Sequence, residues 1–161
     1  MADLKVTITE ALKLHGNNQG ATHTKTISGI NEASRRVVTV IAPGSPYVGT
    51  VLCSFGAADG AGTFIAANVK YVRITNLDSA DFVTLSLEDT DGTGGEKYAQ
   101  LKLEAGKSFM LGAAVIDDID TSSADDFDDV SFENLTNITA YADNTGGGST
   151  TVDLEVFVAT S

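Results

Sequence analysis

The densest group of side chains capable of chemistry lies in the segment VIDDIDTSSADDFDDVSFE, which carries Asp117, Asp118, Asp120, Asp125, Asp126, Asp128, Asp129 and Glu133. Carboxylates at this density suit a hard cation such as calcium, which takes roughly 6–8 oxygen ligands. The seven aspartates are the candidate calcium ligands, and no other cofactor is expected. The competing reading is a hydrated acidic run whose self-repulsion keeps it extended, as is usual for such runs. A second candidate, DTDGTGGEKYAQ, opens like a calcium loop with Asp89, Asp91 and Gly94 at its first, third and sixth positions. Its twelfth position is Gln100 instead of a bidentate Glu, and its flanks alternate like strands. A Gly-rich hairpin is the stronger reading.

Other chemistries find less. His15 and His23, the only histidines, flank GNNQGAT, and two imidazoles without a Cys or a third His make an incomplete transition-metal site. Cys53 is the single cysteine and sits in the apolar run TVLCSF, where burial raises a thiol pKa and makes it inert. GAADGAG has the glycines of a phosphate loop and no basic residue beside them. No G-x-S-x-G occurs, and the absence of Trp argues against a sugar-stacking cleft. Asn134 and Asn137 match the glycosylation pattern, but MADLKVTITE has none of the basic and apolar regions of a secretory signal. No catalytic residue is assigned and no enzyme is expected.

The net charge of −12 excludes one class of partner. The last Lys or Arg is Lys107, and the remaining basic residues are scattered, with Arg35 and Arg36 adjacent and Lys70 and Arg73 further on. A nucleic-acid binder needs clustered cations to neutralise phosphates, so DNA, RNA and anionic membranes are poor partners. Many such chains packed together repel one another unless salt, a cation or a basic surface intervenes.

The elements that must position these groups are strands. Apolar residues alternate in LKVTI, where Leu4, Val6 and Ile8 share a face, and in TVDLEVFVA, where Val152, Leu154, Val156 and Val158 do. The same pattern, rich in Thr and Val, recurs in residues 22–30, 35–41, 47–55, 69–76, 81–88, 98–104, 108–116 and 135–142. Between the runs lie GNNQG, APGSP, GAADGAG, DTDGTGGE, LEAGK and DNTGGGS, each supplying residues that bend the chain. Only NEASRR offers a single helical turn. The expectation is one all-β domain over residues 1–161, an antiparallel β-sandwich or jelly-roll-like barrel with little helix, in which residues 1–20 are a candidate assembly arm. Few Lys or Pro residues protect its strand edges, which favours self-association.

Three stretches, INEASRRVVTV (30 to 40), KYVRITNLDSADFVTLSLE (70 to 88) and KLEAGKSFML (102 to 111), resemble small β-rich virion structural proteins of tailed bacteriophages, particularly marine and cyanobacterial ones. In that family a YVRITN-type strand pairs with an FVTLSL-type strand, and an L-x-AG-x-SF-x-L strand follows a tight Ala-Gly turn. The resemblance covers about half the chain and implies a capsid decoration or protruding protein. It would be made in the host cytoplasm, reside in the virion, and contact the major capsid protein or another virion protein. It would also contact copies of itself, as a homo-oligomer such as a trimer. The alternatives are a tail, fibre or filament-forming subunit, and a calcium-assisted carbohydrate or surface-binding module. A small hydrolase is a third class, and nothing in the residues brings its acid and base groups together.

Overall fold

The computed structural model describes residues 1–41, 48–57, 60–90, 96–112, 135–142 and 151–161. In chain order the strands are β1 (Ala2–Thr9), β2 (Lys13–Leu14), β3 (Asn17–Asn18), β4 (Thr22–Ile30), β5 (Glu32–Ile41), β6 (Thr50–Gly56) and β7 (Thr63–Ile65). They continue with β8 (Val69–Asn76), β9 (Val83–Thr90), β10 (Glu96–Leu103), β11 (Ser108–Gly112), β12 (Leu135–Ala142) and β13 (Thr151–Thr160). Among the described residues the only helical element is the short 3-10 turn Ala66–Asn68. The acidic segment with Asp117, Asp118, Asp120, Asp125, Asp126, Asp128, Asp129 and Glu133 lies outside the described residues, as do Asp91, Gly94 and the DNTGGGS loop.

Two sheets face each other. One has the order β11-β8-β13-β5 and the other β10-β9-β12-β6-β7. Every pairing in them is antiparallel except β6 with β7. The expected all-β antiparallel sandwich is therefore what forms. The pairing is nested: β5 with β13, β6 with β12, β8 with β11 and β9 with β10. The eight strands thus behave as one long hairpin whose two arms are folded together, successive rungs alternating between the sheets.

Strand periodicity explains the core. With side chains alternating across a sheet, β13 sends Val152, Leu154, Val156 and Val158 inward, and all four are at most 1 % exposed. From the facing sheet Leu52, Val83, Leu85 and Ile138 meet them, each fully buried. Burying side chains of this size is worth ~1.5–3 kcal/mol apiece, so this face holds the two sheets together. Cys53 belongs to this core, where burial pushes its thiol up to about 12, only partly offset by the charge of Arg36. It is inert, as its apolar context implied.

Two expectations are corrected. NEASRR forms no helical turn; its residues from Glu32 onward belong to β5, because the whole stretch from Glu32 to Ile41 pairs with β13. The YVRITN and FVTLSL strands do not pair with each other either. β8 lies between β11 and β13 in one sheet, while β9 lies between β10 and β12 in the other. Both strands carry apolar faces that pack against each other only if the chain crosses from sheet to sheet between them. The crossing is built around Asn76, which is 1 % exposed. Its amide donates to the carbonyls of Asp81 (2.9 Å) and Leu103 (3.2 Å) and its oxygen accepts the Asp78 N–H at 2.9 Å, so the buried group is satisfied. Asp78 then accepts the N–H groups of Asp81 and Ala80, which hold its carboxyl below the usual range. The Ala105-Gly106 turn before β11 is present, with Gly106 at a φ of 68°.

Candidate functional site

The amino terminus builds a second structure on top of the first. β1 and β4 pair only with each other and form a two-stranded ribbon, extended at its tip by the short pair β2 and β3. Cross-strand threonines line it, Thr7 with Thr24 at 3.2 Å and Thr22 with Thr9 at 3.5 Å. Near its root the register slips between Ala2 and Leu4. Gly29 sits opposite that slip with a φ of 82°, a left-handed conformation glycine adopts without steric cost. The resulting bend turns the ribbon across the outer face of the four-stranded sheet. There Ile30, Tyr71 and Ala159 form a small buried cluster with Leu4, Val6, Ile27 and Phe157 around it.

That cover explains a break in the burial pattern of β13. Its first residues alternate between exposed and buried, but Glu155 and Ala159, which point away from the main core, are buried as well. Glu155 is thus a carboxylate on a covered sheet face, and it is paired from both sides. Arg35 of β5 donates to its Oε2 through Nε at 2.7 Å and through Nη2, and Arg73 of β8 donates to Oε1. The strand order puts them there, since β13 lies between β5 and β8 and its ladder sets Phe157 opposite both arginines. The Arg35 hydrogen bond, reinforced by the charges of both arginines, holds the Glu155 carboxyl below its ordinary value against the opposing effect of burial. Arg73 also lies over the Phe157 ring, 5.7 Å from its centroid, and Phe157 meets Tyr71 edge-on at 6.1 Å. The buried Nε of Arg73 has no partner among the described residues.

Between the ribbon and this face runs a groove of about 710 Å³. Consecutive residues from Leu4 to Ile8 line it, although neighbouring side chains of a strand point to opposite faces. The groove therefore follows the edge of β1, the edge that no other described strand pairs. Arg35, Tyr71, Arg73 and Phe157 form its floor, and Ser108 and Met110 of β11 close its far side. Among the described residues its charged lining is Lys5, Arg35 and Arg73, with no carboxylate; Glu155 is ion-paired to both arginines. On a chain of net charge −12 this is a basic, partly aromatic channel beside a free strand edge. It offers main-chain groups along β1, three cationic side chains and the aromatic surface of Tyr71 and Phe157.

The candidate residues chosen from sequence lie elsewhere. His15 occupies the turn at the ribbon tip with a φ of 50°, while His23 stands opposite Ile8 on β4, so the two are at different levels of the ribbon. Among the described residues no three His, Cys, Asp or Glu side chains gather as a metal site. β9 and β10 pair up to Thr90 and from Glu96, on either side of residues 91–95, as a hairpin requires. Asn137 lies on β12 and accepts a hydrogen bond from Ser54 at 2.7 Å. No helix among the described residues is long and apolar enough to cross a membrane. The chain matches no protein-family model, no curated protein and no solved structure.

The groove residues were missed for a reason visible in the chain. Arg35, Arg73 and Glu155 are 38 to 120 positions apart, and each reads as an ordinary outward residue of an alternating strand. The one available signal is Glu155 itself, a charge inside the apolar run LEVFVA.

Proposed function

We propose that this chain is a structural subunit of a phage particle, a capsid decoration or protruding protein that works through contacts with copies of itself and with the shell. The observation that carries the reading is the ribbon. Beyond its root, from Thr7 to Thr26, nearly every residue is exposed, including Ile8, Leu12 and Leu14 at 45 %, 54 % and 51 %. A lone two-stranded hairpin is at best marginally stable in water. Such an element keeps its shape and hides its apolar residues when a neighbour covers it, which is what an assembly arm does.

The nested strand pairing supports reading the sandwich as a jelly roll, an architecture shared by viral capsid and lectin domains. Because one architecture serves many functions, this support is secondary to the ribbon. The arm also has a defined extent. Removing residues 1–20 would strip β1 and leave β4 without a partner, so the unit to delete is 1–30, which takes the whole ribbon.

The test compares the full chain with the 1–30 deletion, and with a triple variant Ile8→Ser, Leu12→Ser, Leu14→Ser that keeps the ribbon but removes its exposed apolar groups. Light scattering and electron micrographs should show a discrete oligomer, ring or tube for the full chain. Both variants should be monomers, the triple variant with an unchanged circular dichroism spectrum and the deletion with the β-type signal of the remaining sandwich. A full chain that stays monomeric, alone and with phage shells, would sink the proposal.

A further inference from the structure

The groove under the ribbon lies beside the free edge of β1, and its charge is opposite to that of the chain that carries it. Three of the ten Lys and Arg residues, Lys5, Arg35 and Arg73, line this one channel. Elsewhere the chain is strongly acidic, and after Lys107 every charged residue is an Asp or Glu. Two copies brought together at random repel each other; two copies that meet with an acidic stretch of one in the basic groove of the other do not. We propose that the groove binds the acidic stretch 115–130, VIDDIDTSSADDFDDV, of a second copy, laid as an extended strand along the free edge of β1. This inference rests on the self-association proposed above and names the contact that provides it.

Each part of the channel has a role in such a contact. The edge of β1 that no described strand pairs offers main-chain N–H and C=O groups over Leu4 to Ile8, the means by which an added strand gains affinity without a specific sequence. Arg35 and Arg73 each spend part of a guanidinium on Glu155, whose single negative charge leaves the pair with a surplus positive charge. Lys5 stands exposed with no ion pair among the described residues. The incoming aspartates meet these three cations, while Ile119 and Phe127 have Tyr71, Phe157 and Met110 as apolar surface. Because the groove and the acidic stretch are different parts of the chain, the contact is head-to-tail. Copies so joined build a closed ring or an open filament, the smallest ring being a two-fold pair in which the stretch of each copy fills the groove of the other.

Two single-defect variants test it by complementation. Lys5→Glu spoils the groove at an exposed position, and Asp125, Asp126, Asp128 and Asp129 all changed to Asn weaken the acidic stretch. The wild-type chain should oligomerise, with association falling at least about tenfold between low and high salt. Each variant alone should be a monomer, and an equimolar mixture should give a heterodimer, because one intact groove then meets one intact acidic stretch. If the quadruple variant does not fold, synthetic peptide 115–130 added to the wild-type oligomer should dissociate it, and an Asp-to-Asn version of the peptide should not. A wild-type oligomer indifferent to Lys5→Glu and to the peptide would overturn this contact and leave the structural-subunit reading standing. A wild-type chain that is monomeric alone would overturn this contact, and one that also stays unbound to phage shells would overturn both. Monomeric variants that fail to complement would also overturn it, by showing that the acidic stretch is held within its own copy.

Discussion

β13 and β1 are written in the same alphabet, apolar residues alternating with Thr, Asp or a charged partner. Yet Leu154 in β13 is fully buried, whereas Ile8 in β1 is 45 % exposed. The difference is the number of neighbours. β13 has a strand on either side and a second sheet beneath it, and part of its outer face is covered by the ribbon. Among the described residues β1 has one strand on one side, and only its first half is packed on the sandwich. Alternation therefore specifies that a strand has two unlike faces, while topology decides whether the apolar face is satisfied within the chain. The sandwich closes on itself, and the ribbon leaves apolar surface exposed and one edge of β1 unpaired among the described residues.

The comparison breaks most sharply at the centre of the sandwich. Leu154→Ala removes a fully buried side chain from the middle of β13 and should cost ~2–5 kcal/mol, read as a lower midpoint in urea with the slope unchanged. Assembly should weaken only as far as folding does. A loss below about 1 kcal/mol would mean that the two sheets are not held by this interface.

A smaller effect belongs to the seat of the ribbon. Glu155→Gln leaves Arg35 and Arg73 facing each other without their shared anion, and should cost ~1–2 kcal/mol, the exposure of Arg35 limiting the loss. The pH dependence has a definite sign. Glu155 has a depressed pKa in the folded protein, so its stabilisation is complete above the ordinary Glu value of ~4.3 and fades as pH falls through the lower folded value. Acid titration of stability should therefore show a limb below about pH 4.3 that is shallower in Glu155→Gln. A variant with the same acid limb as the wild type would place that titration elsewhere in the molecule.

Much of the sandwich was legible in the sequence because its signals are local. Val152, Leu154, Val156 and Val158 announce an inward face without reference to any other strand, and Cys53 announces its burial by the apolar run around it. The pairing of β8 with β9 that the resemblance implies does not form, although adjacency in sequence also favours a hairpin. The feature that overrides it is the double role of Asn76 and the carbonyl of Leu103, 27 residues away. The groove was illegible for a related reason. Its charged residues acquire meaning only once β13 is known to lie between β5 and β8, a fact carried by long-range register rather than by spacing.

The most direct measurement is hydrogen exchange on the full chain at low and high protein concentration. If a neighbouring copy covers the ribbon, the amides of β1 should pass from fast to slow exchange as the oligomer forms, while those of β13 stay protected throughout. Ribbon amides that exchange equally fast in the assembled and the dilute protein would contradict the account, because the edge of β1 would then play no part in self-association.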